Sequence, residues 1–552
     1  MCSLLGKLIL SRRGVCVVSG KSFVKGAVVL SVAGILAKCL GALYRIPFGT
    51  IVSEDCLALY TMVYPIYNLL LALSTAGIPL AISKLVAEYE EQGRSGMSLR
   101  VLKLSLALLS TVGICVGVFI FVSADWLAAN VFPDERVAWS LRAIAPAMIF
   151  SCIQAVFRGY FQGLQQMVPT ALSQITEQFV RVGVIIAAMF LLMPYGDSII
   201  SAGASAGASV GGAAALLLML IIFFRYVKKN GKAPTMLQAD RQVGNGELVG
   251  KVLALAIPIS IGSLVLPIMQ SIDTFLVVPR LEAGGMSHSD AMAWFSYLGG
   301  CVQPILNLPL MLTTAIAASL VPNISEALSM GQTEKVRETF ANAMQLSILL
   351  VLPAAVGLMT LAYPVMELLY PTKPSAGLPM FWSAAVVAMV GIYQISAGTL
   401  QGLGRAMVPM YSLLLGSAIK TVLTYVLPAL PVMGIRGAAL GSVIGFAVAA
   451  ANNIYQISRD IGWNWLSLKY HIIKPVVSVV VMAVLVLGSY YGIFACLHSN
   501  GIATLLAIAI GGTIYFVTLL AIGGVSLEII RKVPKVGNKL AVLLLKLKLV
   551  RE

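Results

Sequence analysis

Fourteen apolar runs, most of them more than twenty residues long, constrain this chain more than any other feature. They fall near 26–51, 57–83, 101–124, 138–161, 169–193, 199–224, 249–278, 292–320, 338–362, 377–401, 408–430, 435–458, 473–496 and 501–524. An α-helix needs about 20 such residues to cross the hydrocarbon of a bilayer. With 59% hydrophobic and 11% charged residues over 552 positions, a soluble globular chain is excluded. The expectation is an all-α polytopic membrane protein with 14 transmembrane helices. An even number of spans puts both termini on one side.

Charge sets which side. With the N-terminus inside, 29 Lys and Arg fall on cytoplasmic segments and helix ends. Five fall outside: Arg136, Arg142, Arg280, Lys373 and Arg436. That bias predicts cytoplasmic termini by the positive-inside rule. The net charge of +16 follows the loops and is not gathered on a soluble domain, so no nucleic-acid partner is indicated.

An internal repeat divides the chain. Gln162-Gly-Leu-Gln-Gln-Met-Val-Pro169 returns as Gln401-Gly-Leu-Gly-Arg-Ala-Met-Val-Pro409 with one residue inserted. Gly203, Gly207 and Gly211 of the sixth span match Gly437, Gly441 and Gly445 of the twelfth. A four-residue spacing sets these glycines on one helix face, where a neighbour comes close. The predicted plan is a cytoplasmic leader (1–25), an N-lobe of six helices (26–235) and a C-lobe of six (236–465). Two extra helices (466–524) and a basic tail (525–552) follow. The lobes are parallel repeats, a transporter plan in which the site lies between them. Leu540, Leu543, Leu544 and Leu547 interleaved with Lys539, Lys546 and Lys548 give the tail an amphipathic pattern suited to the anionic inner leaflet. A solvated tail is the alternative.

Four cations lie inside spans: Lys38, Arg45, Arg181 and Lys420. Gly34, Lys38, Gly41 and Arg45 share a stripe of the first helix, because seven residues return to nearly the same face. Arg181 follows Pro169 by 12 residues and Lys420 follows Pro409 by 11. Both therefore sit about 16–18 Å deep at 1.5 Å per residue. Glu177 precedes Arg181 by one turn, in the favourable order for a pair. Lys38, Arg45 and Lys420 have no acid within one turn. A buried cation without a partner shifts its pKa, pairs with another helix or takes an anionic ligand. Arg45 cannot usefully deprotonate, and snorkelling to the outer interface is its other outlet. Asp273 of the seventh span is expected to face Arg45 or Lys38, or to bind a coupling cation. Gln303, Asn307, Thr313 and Thr314 add neutral hydrogen-bonding groups. Tyr60, Tyr64 and Tyr67 form a stripe suited to interfacial packing or to stacking on sugars.

No nucleophile motif, Walker A pattern or metal cluster is present, and the three histidines lie in loops or at span ends. The eight cysteines are scattered with no Cys-x-x-Cys, so neither a zinc site nor a disulfide framework is indicated. An enzyme is not expected, and neither is a cofactor. The drive for transport is expected from a coupling cation or the membrane potential.

The run Asn307-Leu-Pro-Leu-Met-Leu-Thr-Thr-Ala-Ile-Ala-Ala-Ser-Leu-Val-Pro-Asn-Ile-Ser-Glu-Ala327 resembles the stage V sporulation protein B family. So do Tyr64-Pro-Ile-Tyr-Asn-Leu-Leu70 and Ser74-Thr-Ala-Gly-Ile-Pro-Leu-Ala-Ile-Ser-Lys-Leu-Val-Ala-Glu88. That family belongs to the polysaccharide-transport branch of the superfamily holding MATE drug exporters and MurJ-type lipid II flippases. The resemblance implies two six-helix lobes in a V. It also implies flipping of an undecaprenyl-pyrophosphate-linked saccharide such as lipid II, the peptidoglycan precursor, across a bacterial cytoplasmic membrane. Lys38 and Arg45 look like the paired first-helix arginines of MurJ-type proteins. The basic residues of their second helix have no counterpart in Asn68-Leu-Leu-Leu-Ala72. Their eighth-helix arginine is also missing, with Gln303 or Asn307 nearby. Together with the residue reading above, the expected substrate-binding set is Lys38, Arg45, Glu177, Arg181, Asp273, Gln303, Asn307 and Lys420. The expected partners are the lipid-linked saccharide, membrane lipids and cell-wall synthesis enzymes. A MATE-like, cation-coupled multidrug exporter is the alternative.

Overall fold

A computed structural model describes residues 33–34, 36–37, 39–41, 44–75, 77–230, 243–462 and 465–523. Lys38, the leader, most of the first span and the basic tail lie outside these residues. The described helices are α1 (Arg45–Ile51), α2 (Glu54–Thr75), α3 (Ile78–Glu91), α4 (Ser95–Val122), α5 (Ala124–Asn130), α6 (Ala138–Gly163) and α7 (Met167–Leu191). They continue as α8 (Asp197–Asn230), α9 (Asn245–Ala283), α10 (His288–Phe295), α11 (Gln303–Ser329), α12 (Thr333–Thr360), α13 (Ala362–Leu369) and α14 (Gly377–Ser383). The last are α15 (Ala385–Gly402), α16 (Met407–Val426), α17 (Ile435–Ile461), α18 (Trp465–Leu497) and α19 (Asn500–Ala521). A π-helical stretch, Ser296–Val302, joins α10 to α11. Among the described residues, 13 helical segments are long and apolar enough to cross a membrane. They coincide with the second to fourteenth runs of the sequence.

The repeat is visible in the packing. In the N-lobe α8 lies on α6 and α7, α4 on α6, and α2–α3 on α6. In the C-lobe α17 lies on α15 and α16, α12 on α15, and α11 on α15. The repeated turns match atom for atom. Gln166 N–H donates to Phe161 O at 2.8 Å, and Arg405 N–H to Leu400 O at 2.8 Å. The residue before each donor is left-handed: Gln165 with φ 58° and Gly404 with φ 78°. Gly159 and Gly163 seat α6 on α3, as Gly398 and Gly402 seat α15 on α11. A Cβ at Gly159 would lie 2.8 Å from Pro79 O, and one at Gly398 would lie 2.7 Å from Ala317 O.

Lipid offers no hydrophobic drive between helices, so close packing and hydrogen bonds must hold them. Ser140 and Ser201 share a bond of 2.8 Å between α6 and α8, and Gln154 Nε2 donates to Gly212 O at 2.6 Å. In the C-lobe Asn452 Nδ2 donates to Ser412 Oγ at 2.8 Å, and Asn453 Nδ2 to Ser396 Oγ at 3.2 Å. The extra helices α18 and α19 pair with each other and pack on α12 and α13 of the C-lobe. Tyr515 O–H donates to Leu349 O at 3.1 Å across that contact.

The lobes do not form an open V. They touch at both ends of the bundle, along α2–α3. At the end bearing Glu54, Asp55, Asp134 and Asp197, here called the acidic end, Leu57 packs on Gly300, where a Cβ would lie 2.6 Å from its Cγ. Tyr297 O–H donates to Glu54 there. Lys373 Nζ donates to Gly49 O at 2.5 Å and Val52 O at 2.6 Å, capping the C-terminus of α1 from the other lobe. At the opposite, basic end Gly77 N–H, just before α3, donates to Ser260 Oγ of α9 at 3.1 Å. Leu248, Val252 and Ala256 of α9 join Ile82, Leu85 and Val86 of α3 in one buried cluster. The small residues that open this seam to close approach also let it shut.

Candidate functional site: an arginine cluster beneath the seam

Helical spacing assembles the N-lobe site. Glu177 and Arg181 are one turn apart on α7, and Arg181 Nη2 donates to Glu177 Oε1 at 2.8 Å. Gln154 and Arg158 are one turn apart on α6, and Arg158 Nη2 reaches Gln154 Oε1 at 2.6 Å. The same nitrogen donates to Glu177 Oε2 at 2.9 Å, while Arg158 Nε donates to Ser173 Oγ at 3.0 Å. One carboxylate therefore holds two guanidinium groups. Arg181 is buried and its Nε has no partner. The close fit of α8 makes this possible: a Cβ at Gly211 would lie 2.6 Å from Glu177 O, and one at Gly207 would lie 3.1 Å from Arg181 O. The glycine face found in the sequence thus presses against the turns that carry the charges.

The tyrosines of α2 connect this cluster to the first helix. Arg181 Nη1 donates to Tyr64 O–H at 2.9 Å. Arg45 lies over the same ring, 5.4 Å from its centroid, a cation–π contact. Tyr44 and Tyr60 hydroxyls share a bond of 2.7 Å. Phe48, Tyr60, Tyr64 and Tyr67 form a continuous ladder with centroids 5.1, 5.3 and 6.0 Å apart. Tyr60 and Tyr67 are buried, so the stripe serves packing and hydrogen bonding rather than an open stacking platform. Arg45 is partly buried and no ion pair forms on it among the described residues. Farther along the first helix, Gly41 faces Gln178 of α7 and Cys39 Sγ contacts Met311 Sδ of α11 at 3.9 Å. The first helix therefore runs between the two lobes.

The C-lobe completes its matching cation differently. Lys420 Nζ donates to Asp273 Oδ2 at 2.8 Å and to Met269 O at 2.9 Å. Asp273 faces Lys420 of its own lobe, not Arg45; the pairing follows from α9 packing on α16. Gly445 permits the approach, since a Cβ there would lie 3.0 Å from Lys420 Cβ. Gln303 sits partly buried where the π-helical stretch becomes α11, and Asn307 one turn on is exposed. Thr313 is buried and donates to Gln394.

Arg158 was missed in the sequence because its place near the Gln162 turn puts it with the loop cations. Its signal was the one-turn spacing from Gln154. With it, the N-lobe centre holds Arg45, Arg158 and Arg181 against Glu177, while the C-lobe centre holds one cation against one anion. Guanidinium groups present paired donors that suit phosphate oxygens. The N-lobe cluster therefore carries the chemistry that suits an anion.

At the acidic end a second charged group crosses the seam. Arg136 binds Asp134 and Asp55 of the N-lobe at 2.7 and 2.8 Å. His288 of the C-lobe lies 2.5 Å from Glu282 and 3.5 Å from Asp134. The hydrogen bond with Glu282, and a second with Asp134, hold the His288 ring above its ordinary pKa. Burial pushes Asp134 up, but the hydrogen bonds from Arg136 outweigh it and hold the carboxyl below its ordinary range.

The family model for polysaccharide biosynthesis proteins matches residues 23–328, more than half of the chain. The chain is 31% identical to the uncharacterized membrane protein YabM of Bacillus subtilis, over 94% of this chain and 96% of that one. It is 28% identical to stage V sporulation protein B of Bacillus subtilis, over 94% and 99%. It is 27% identical to the lipid II flippase MurJ of the same organism, over 89% and 94%. In fold it is similar to a lipid II flippase MurJ solved in an inward closed conformation, with TM-score 0.66 and 15% identity over 89% and 98% of the two chains. It is also similar to an inward-facing MATE multidrug transporter, with TM-score 0.65 and 16% identity over 77% and 94%. The relatives and neighbours whose activity is named are flippases and transporters, not enzymes. This chain is a multi-pass membrane protein and a member of the polysaccharide biosynthesis protein family, built on the fold that MurJ-type flippases share with MATE transporters.

Proposed function

We propose that this protein flips an undecaprenyl-pyrophosphate-linked saccharide, with lipid II as the cargo, from the inner to the outer leaflet of a bacterial cytoplasmic membrane. The single observation that carries the reading is the surplus of arginine over carboxylate in the N-lobe centre, where, among the described residues, Arg45, Arg158 and Arg181 meet only Glu177. A charge surplus inside a membrane is costly and is relieved by a bound anion. The pyrophosphate would sit with Arg45 and Arg181, and the saccharide against neutral groups such as Gln303 and Asn307. The lipid tail would stay in the bilayer beside α18 and α19. Rocking of one lobe against the other would open the seam first at the cytoplasmic end and then at the outer end, with both termini inside.

Energetics favour this direction. One negative charge moved outward across 100 mV, inside negative, gains about 2.3 kcal/mol. Over the whole cycle the membrane potential thus favours export of the anion, and a cation returning with the empty carrier is the other source of drive. The rival is a MATE-like exporter of cationic drugs, which the shared fold allows. A cation site needs surplus carboxylate, and the two lobe centres supply arginine surplus and neutrality.

The test is depletion of the native flippase in cells expressing this chain, with lipid II accessibility measured at the outer face. Rescue, and its loss in Arg45→Ala at normal protein levels, is the expected result. No rescue at normal expression would remove lipid II as the cargo.

A further inference from the structure

Glu177 stands out because, among the described residues, it is the lone acid in a site read as anion-binding. Both of its carboxylate oxygens are used, Oε1 by Arg181 at 2.8 Å and Oε2 by Arg158 at 2.9 Å. It occupies the geometry in which a phosphate would take two guanidinium groups. We infer that Glu177 is an internal counter-anion that the pyrophosphate of the cargo displaces from Arg158 and Arg181, and that Arg158 is the third cation of the site. The inference rests on the anion-site reading above and adds how the cargo is let go.

The groups facing Glu177 fit this role. Arg158 of α6 and Arg181 of α7 bond it directly, Gln154 of α6 and Ser173 of α7 hold Arg158, and Tyr64 of α2 holds Arg181. Besides Glu177, Arg158 is held by neutral groups, the Ser173 hydroxyl and the Gln154 amide oxygen, which can follow a guanidinium that turns. The unpartnered Arg181 Nε is a donor already desolvated and unused. With Glu177 present, the surplus of the three arginines is two positive charges. A pyrophosphate diester carries about two negative charges at neutral pH, so the loaded site is near neutrality and the empty one is held together by Glu177. A site of three arginines alone would bind the same anion more tightly and release it more slowly. Glu177 is thus a positioning residue and a competitor, set to speed release at some cost in affinity.

The experiment uses the full chain purified into nanodiscs. The probes are farnesyl pyrophosphate and inorganic pyrophosphate, with farnesol as the uncharged control. Binding of farnesyl pyrophosphate but not farnesol by the native chain is expected; equal binding of both would overturn the anion-site reading and this inference together. Binding of inorganic pyrophosphate as well assigns recognition to the free anion, and its failure assigns it to the lipid-linked form; in either case the same counter-anion arithmetic is read on the probe that binds. Glu177→Gln should tighten farnesyl pyrophosphate about tenfold, and Arg158→Gln should weaken it about tenfold. In cells Glu177→Gln should then lower maximal flipping while reaching half-maximal rate at less cargo. Damage to packing cannot tighten binding, so the sign separates competition from mere structure. Glu177→Asp, which keeps the charge but shortens the reach to Arg158, should tighten binding less than Glu177→Gln and serves if the amide variant fails to fold. Unchanged or weaker binding in a monodisperse Glu177→Gln or Glu177→Asp protein would overturn the inference while leaving the anion-site reading standing.

Discussion

The two lobes put a buried cation at the same place in the repeat and complete it in opposite ways. Arg181 shares one carboxylate with Arg158 and leaves a surplus beneath Tyr64 and Arg45. Lys420 takes Asp273 for itself, together with the Met269 carbonyl. The backbone arrangement is shared down to the glycines behind each cation. The difference teaches that repeat symmetry fixes where charge sits, while the partner on another helix decides whether that charge is spare. In the proposed reading the anion site belongs to the lobe with the surplus. The C-lobe pair is a neutral unit whose first job is to hold α9 against α16.

The largest effect should come from breaking the neutral pair. Lys420→Ala leaves the partly buried Asp273 without its ion-pair partner, a change of the kind that costs about 3–5 kcal/mol. The thermal midpoint in detergent should fall clearly, and Lys420→Met with Asp273→Leu should recover most of it. Arg181→Ala should cost less, about 1–3 kcal/mol, because Glu177 keeps Arg158. Equal losses would erase the distinction between the lobes. Next in size are the glycines that seat the charged turns. Gly211→Ala sets a Cβ 2.6 Å from Glu177 O, and Gly445→Ala sets one 2.8 Å from Gly416 O. Each should cost about 1–3 kcal/mol by overpacking. Gly211→Ala should also weaken anion binding, because the added methyl presses on the turn that carries Arg181, 3.3 Å from its Cβ, while Gly445→Ala should not.

Smaller effects sit in the turns and at the acidic end. Gln165 is left-handed where the repeat has Gly404. Gln165→Gly should therefore stabilise by about 0.5–1 kcal/mol, and Gly404→Gln should destabilise, both read from thermal midpoints. His288 crosses the seam toward Asp134, and its pKa is raised in the folded chain. Its contribution is full below the ordinary histidine value of 6.5 and disappears as pH rises through the raised value. The ring is nearly half exposed, so this is a few tenths of a kcal/mol at most. Rising pH should loosen the acidic-end seam slightly, measured by labelling a cysteine placed at position 290, and His288→Ala should abolish the dependence.

Spans and repeat were legible because lipid imposes them. A 20-residue apolar run has one outcome in a bilayer, and a turn such as Gln162–Pro169 repeats only if the structure around it repeats. The depth of Arg181 and Lys420 followed from helical rise alone. Their completion did not, because Asp273 lies 147 positions from Lys420 and only the packing of α9 on α16 brings them together. Arg158 was hidden for a related reason. Its distance from the helix end suggests a loop cation, yet α7 leans Glu177 back to meet it. The closed seam was also out of reach, since Gly77, Gly299 and Gly300 read as ordinary membrane glycines until the opposite lobe is in place. Lys38, aligned with Arg45 in the sequence, lies outside the described residues.

The most direct test separates the lobes by function. In cells depleted of their native flippase, outer-face lipid II should be restored by this chain and by the neutral replacement of the C-lobe pair, Lys420→Met with Asp273→Leu. It should be lost in Arg45→Gln with Arg181→Gln at matched protein levels. Activity surviving removal of the N-lobe arginines, or lost only with the C-lobe pair, would contradict the assignment of the cargo's anion to the N-lobe.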